Sequence, residues 1–109
     1  MELYQARAEL TKAMAHPIRL AIIDILDQKG PQCVADLTAL LPVGQPTVSK
    51  HLSILKAAGI LHYRKEGLKA VYFIRTPCIA DLFKCLDNAL AEDLRQKQNV
   101  WGKDLEGLK

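Results

Sequence analysis

The chain has 109 residues, half of them hydrophobic and a quarter charged, with a formal net charge of +3. This composition describes one small folded domain, residues 1–109, and excludes a disordered chain. Three cysteines with no C-x-x-C pair argue against a disulfide framework.

No targeting or spanning segment is visible. The first ten residues, M-E-L-Y-Q-A-R-A-E-L, carry acidic side chains and no long apolar run, unlike a secretory signal. The longest apolar run, Leu20–Leu26, is broken by Asp24 and too short to cross a bilayer. A cytoplasmic protein with no membrane partner is expected.

Leu3 to Ala15 reads as a helix, with Leu3, Ala6, Leu10, Ala13 and Met14 on an approximate stripe. A second helix follows Pro17, which suits a first turn. Ile18, Ala21, Ile22, Ile25 and Leu26 recur at helical spacing, and Gly30-Pro31 ends the run. A third, short helix spans about Cys33 to Leu41, with Val34, Leu37, Leu40 and Leu41 inward. Pro42-Val43-Gly44 then turns into the stretch on which the chain is centred, V-G-Q-P-T-V-S-K-H-L-S-I-L-K-A-A-G.

In that stretch Val48, Leu52 and Leu55 mark one buried face, Pro46 fits the first helical position, and Gly59 fits the helix end. The outer face carries Thr47, Ser49, Lys50 and Ser53, preceded by Gln45. Short donors and acceptors with a cation suit base edges and phosphates better than a core. Two short helices joined by a glycine-containing turn form a helix-turn-helix pattern over about residues 33–58. A plain helical hairpin is the bland alternative.

After Gly59 the period changes to that of strands. Two β-branched and aromatic runs flank Glu66-Gly67, which predicts a hairpin over about 60–75. Arg64, Lys65 and Lys69 lie near its tip, as on a DNA-binding wing. From Lys50 to Arg75 six cations stand against Glu66 alone. That local balance of +5 leaves −2 for the remainder of a chain whose total is +3. A basic segment on an otherwise acidic chain is a nucleic-acid footprint, although a solvated lysine-rich surface has the same composition.

Thr76-Pro77 ends the hairpin. Cys78 to about Trp101 reads as one long helix with Ile79, Leu82, Phe83, Leu86, Leu90 and Leu94 on a stripe. With the first helix, this is more apolar surface than so small a core needs. The economical use is a homodimer interface formed by both terminal helices, matching a two-fold operator. The tail from Gly102 is expected to fray. The expected fold is therefore mostly α with a β-hairpin, a dimeric winged helix-turn-helix.

The order of elements, with A-H-P-I-R-L-A-I-I-D-I-L, C-V-A-D-L and Q-P-T-V-S-K-H-L-S-I-L-K-A-A-G-I-L, resembles the ArsR/SmtB family of winged-helix repressors. The resemblance covers roughly residues 10–75. It implies double-stranded operator DNA as partner, release of that DNA on binding an inducer, and no cofactor for DNA binding itself. It places Gln45, Thr47, Ser49 and Lys50 in the major groove, with His51 on the same helix but nearer its core side. Arg64, Lys65 and Lys69 would hold the backbone.

For the inducer, the arsenic-sensing branch carries C-V-C-D-L-C. Here the matching residues are Cys33-Val34-Ala35-Asp36-Leu37-Thr38, so two of the three thiols are replaced. Zinc-sensing relatives place His and carboxylate ligands on the last helix, which here has Asp81, Asp87, Glu92 and Asp93 but no histidine. Cys33, Cys78 and Cys85 remain as candidate ligands for arsenite, antimonite or another thiophilic ion. In one regular helix Cys78 and Cys85 stand about 10 Å apart along the axis, beyond the roughly 7 Å a disulfide tolerates. Joint use of the two needs an unwound turn after Pro77.

Alternatives are reversible thiol oxidation or persulfidation, a DNA-binding regulator without cysteine chemistry, or three cysteines that only pack. An enzyme is not expected, since no nucleophile is accompanied by a base and its orienter.

Overall fold

The computed structural model describes residues 1–96, without the side chains of Leu94 and Gln96. The elements run α1 (Glu2–Met14), α2 (Pro17–Lys29), β1 (Gln32–Cys33), α3 (Val34–Leu40), α4 (Gln45–Ala57), β2 (Leu61–Glu66), β3 (Lys69–Ile74), a 3-10 turn (Pro77–Ala80) and α5 (Asp81–Gln96). The chain forms two compact units, one from Met1 to Pro77 and one from Cys78 onward.

The first unit holds the core. Ile22, Ile23, Leu37, Val48, Leu52 and Leu55 are sealed from solvent, and Met14, Leu26, Cys33, Ile60 and Leu61 are buried beside them. α2 packs on α1, α4 and β3, while α3 packs on α4. Because α2 has neighbours on more than one side, it buries the adjacent Ile22 and Ile23 instead of the single stripe that spacing suggests. Ile18 and Ile25 are only half-buried. In α3, Leu37 alone is buried; Leu40, expected inward, is exposed, because a helix of seven residues presents too little length for a full stripe.

Two turns position α4. At its end Ala58 is the cap, and Gly59 follows at φ +81°. The Ile60 N–H donates to the Leu55 carbonyl at 3.1 Å and the Gly59 N–H to the Lys56 carbonyl at 2.9 Å. This double bond pattern is a Schellman motif, whose left-handed residue favours glycine. It delivers the chain directly into β2. At the hairpin tip, Glu66 pairs with Lys69 across a two-residue loop in which Gly67 has φ +64° and no other residue has positive φ. That is the type II′ arrangement, whose twist matches the strands.

The hairpin is also widened by a strand that alternation could not reveal. β1 pairs antiparallel with β3, Gln32 opposite Tyr72 and Cys33 opposite Val71, giving the sheet order β1-β3-β2. Two residues are too few to show a period of two.

In the second unit the long helix begins at Asp81, not at Cys78. Residues Pro77–Ala80 form a 3-10 turn that places Cys78 ahead of the helix. Cys78 and Cys85 therefore do not share one helical face. Leu82, Leu86 and Leu90 recur every fourth residue along α5 and remain exposed, at 40%, 38% and 38%. The expected helix end near Trp101 and the frayed tail from Gly102 lie outside the described residues.

Candidate nucleic-acid interface

α4 separates its side chains by face. Val48, His51, Leu52 and Leu55 are buried; Gln45, Pro46, Thr47, Lys50 and Ser53 are exposed, and Ser49 is half-exposed. Gly44 caps the helix with no side-chain hydrogen bond, which leaves first-turn N–H groups facing outward beside Gln45 and Thr47. His51, which the resemblance sets on the same helix but nearer its core side, is only 5% exposed, and its ring is turned inward, onto His16 and Arg19. Its position one residue past Lys50 rotates it about 100° around the axis, into the packed side.

The strand register divides the wing cations. Tyr63 faces Tyr72 and Lys65 faces Ala70, whereas Arg64 faces Val71 and Glu66 faces Lys69. Since alternate residues share a face, Lys65 lies on one face of the hairpin and Arg64 with Lys69 on the other.

Lys65 shares its face with Tyr63, over whose ring the Lys56 ammonium of α4 stands at 4.6 Å. Tyr63 in turn lies 5.4 Å from the Tyr72 ring. Burial, with a smaller contribution from Tyr63, pushes the Tyr72 phenol above its ordinary pKa, so it stays neutral. This Lys56–Tyr63–Tyr72 stack joins the last turn of α4 to the wing. Lys56 was not singled out from the sequence, although it continues the outward series Lys50, Ser53 at three-residue steps.

Arg64 and Lys69 open instead onto a shallow cavity of about 380 Å³ lined also by Cys33, Asp36 and Glu66. Arg64 pairs with Glu66 at 3.4 Å, both more than half exposed, a contact that adds little stability. Two carboxylates thus temper the two cations on this face.

Residues 16–63 match the family described as bacterial regulatory protein, arsR family. An uncharacterised HTH-type transcriptional regulator of Methanocaldococcus jannaschii is 41% identical over 87 residues, 80% of this chain and 98% of that protein. The arsenical resistance operon repressor of Escherichia coli K12 is 39% identical over 82 residues, 74% of this chain and 69% of that one. The chain belongs to the arsR family of bacterial regulatory proteins. Among solved structures, the homodimeric winged helix-turn-helix DNA-binding domain (fragment 1–100) of a Mycobacterium bovis protein superimposes with a TM-score of 0.74 at 30% identity, covering 87% of each chain.

In this arsR-family protein the three candidate thiols have different settings. Cys33 is buried and caps α3. Its side chain accepts from the Asp36 N–H, while the Cys33 N–H donates to Asp36 Oδ2 at 3.2 Å, a reciprocal capping box. Hydrogen bonding to the Cys33 side chain, then to its backbone, holds the Asp36 carboxyl below its ordinary pKa, and Lys69 adds to the effect. Cys78 and Cys85 are exposed. Among the described residues no group of three or more His, Cys, Asp or Glu could hold a metal ion.

No helix among the described residues is long and apolar enough to cross a membrane.

Proposed function

We propose that this protein is a cytoplasmic, homodimeric transcriptional repressor that reads double-stranded operator DNA with α4 and grips its backbone with the wing. The observation that carries this reading is the two-sided character of α4: a sealed inner face beneath an outer face of Gln45, Thr47, Lys50 and Ser53. Such a face offers hydrogen bonds and one cation to a major groove while the core holds its backbone rigid. Lys56, over the Tyr63 ring, and Lys65, on the same strand face as Tyr63, extend the same surface to the phosphates.

Lys56→Ala or Lys65→Ala is expected to weaken binding to every duplex and to reduce the slope of log affinity against log salt by about 1. Thr47→Ala instead relaxes discrimination at one base pair, by about 1–3 kcal/mol. Anisotropy titrations over a salt series, with a duplex selected by the protein and single-base variants of it, separate the two behaviours. Equal effects of all three changes on selected and unrelated duplexes would sink the base-reading role of α4.

Dimer formation is supported by the exposed leucines of α5, by Leu3, Tyr4 and Leu10 exposed on α1, and by the homodimeric structural relative. The inducer is a soft ion such as arsenite or antimonite, taken by thiolates from the set Cys33, Cys78 and Cys85. Softness follows from the all-sulfur donor set, and the arsenical repressor among its relatives agrees with it. Capture of the Cys33 thiolate would remove the cap of α3, the helix that leads into α4, and so couples ligand to reading head. Exposure of Cys78 and Cys85 supports a second reading, in which oxidation or persulfidation is the signal.

Arsenite is expected to release DNA from the wild-type protein and to leave Cys33→Ser bound. A polysulfide that releases DNA from Cys33→Ser but not from Cys78→Ser or Cys85→Ser would decide for the second reading. No release by either agent would overturn both.

A further inference from the structure

The reading helix is held from behind by a polar cluster that the sealed core does not require. His51 lies mid-way along α4, 5% exposed, among aliphatic side chains. Its Nδ1 accepts a hydrogen bond from Arg19 Nε at 3.1 Å. A second donor of the same guanidinium, Nη1, reaches the Ala13 carbonyl in the last turn of α1 at 3.0 Å. His16, the N-cap of α2, lies against His51 with ring centroids 4.3 Å apart and the rings tilted by 37°, and its own Nδ1 accepts from the Ile18 N–H at 3.1 Å. One planar fork thus ties α1, α2 and α4 at a single point, a geometry that lysine cannot reproduce.

We propose that Arg19 and His51 are positioning residues that fix the rotation of α4, so that Thr47, Ser49 and Lys50 meet base edges in register. The proposal rests on the reading of α4 as the recognition helix. Its physical basis is leverage. Side-chain tips lie roughly 5–6 Å from a helix axis, so a rotation of about 10° moves them about 1 Å. That displacement exceeds the tolerance of a hydrogen bond, whose useful range spans only about half an ångström. Apolar packing of Val48, Leu52 and Leu55 resists separation of the helices but is non-directional. The Arg19–His51 bond supplies the direction.

The cluster has a protonation signature. With its Nδ1 accepting from Arg19, the neutral His51 ring carries its proton on Nε2. A second proton on His51 would point an N–H at the Arg19 donor. Burial disfavours that charge first, and His16, Arg19 and Lys50 all add to the penalty, so the His51 pKa lies below its ordinary 6.5. As pH falls below that ordinary value the unfolded chain takes up the proton sooner than the folded one. The stabilisation is therefore complete above about 6.5 and declines below it.

The test compares wild type with His51→Asn, which keeps an acceptor near the Nδ1 position without titrating, and His51→Phe, which keeps the ring without the acceptor. Each is titrated, between pH 5.5 and 8, with a duplex selected by the wild-type protein from a random pool and with an unrelated duplex. Folding is followed by circular dichroism. At pH 7.5 His51→Asn is expected to stay within about threefold of wild type, and a folded His51→Phe to lose about tenfold for the selected duplex only. In circular dichroism melts, wild type should lose stability relative to His51→Asn as pH falls from 6.5 to 5.5, because the unfolded chain takes up the proton first. Arg19→Lys, read in the same way, should behave as His51→Phe.

A folded His51→Phe or Arg19→Lys with wild-type selectivity overturns the proposal, as does an unchanged pH profile of stability in His51→Asn. If His51→Phe fails to fold, the Asn profile and the Arg19→Lys selectivity decide alone. Failure of the wild-type protein to enrich any duplex overturns the recognition-helix reading itself, and the positioning role with it.

Discussion

Leu52→Ala is expected to lower the unfolding free energy by about 3 kcal/mol, within the range for fully buried leucines, and the melting temperature by roughly 15 °C for a domain of this size. Leu52 has no solvent exposure and stands at the centre of the inner face of α4, which packs on α1, α2, α3 and β2. Truncation leaves a cavity that those elements cannot all collapse into at once, because they approach from different sides. A single domain of about 100 residues has a total stability of roughly 5–15 kcal/mol, so the variant remains mostly folded in the cold and still binds DNA there. Ser53→Ala, one residue on and exposed, should stay within about 0.5 kcal/mol of wild type. Thermal and urea melts of the pair test the assignment of faces. An equal loss in both variants would contradict it.

Leu86→Asp is expected to raise the dimer dissociation constant by about 30- to 1,000-fold. Leu82, Leu86 and Leu90 form an apolar row along α5 with a third or more of each side chain exposed, and none belongs to the buried core. A carboxylate in the middle of such a row must be desolvated for the partner to dock. Losses at central interface positions are about 2–4 kcal/mol, which corresponds to roughly 30- to 1,000-fold. DNA affinity should fall by a similar order, because the second half-site contact of a dimer is intramolecular and is lost with the dimer. Light scattering and operator titration measure the two losses. The released monomer keeps its helical circular dichroism, since the core residues are untouched. A protein that stays dimeric after this change would remove α5 from the interface.

Much of the site is legible in the order of the residues. Val48, Leu52 and Leu55 at helical spacing predict the buried face of α4, and the polar residues between them appear outward, apart from His51. His51 reads as nearer the core side of the helix, but only the tertiary fold brings Arg19 and His16 to it. The wing hairpin was expected from alternating strands about Glu66-Gly67. Which of its cations share a face was decided by the register, since a shift of one residue exchanges the two faces. For Cys33, neither strand β1 nor the capping box with Asp36 has a sequence period to announce it.

By itself, then, the sequence determined the elements that depend on near neighbours: helices from i, i+3 and i+4 apolar repeats, the helix end at Gly59, the hairpin turn at Gly67, and the polar outer face of α4. These follow from local sterics and from which side chains water will release. Only the tertiary structure decided what depends on residues far apart in the chain. Arg19 lies 32 positions before His51 yet donates to it, and β1 finds β3 across some forty residues. Such pairings depend on how the elements close on one another, a property that the spacing within any one element does not contain.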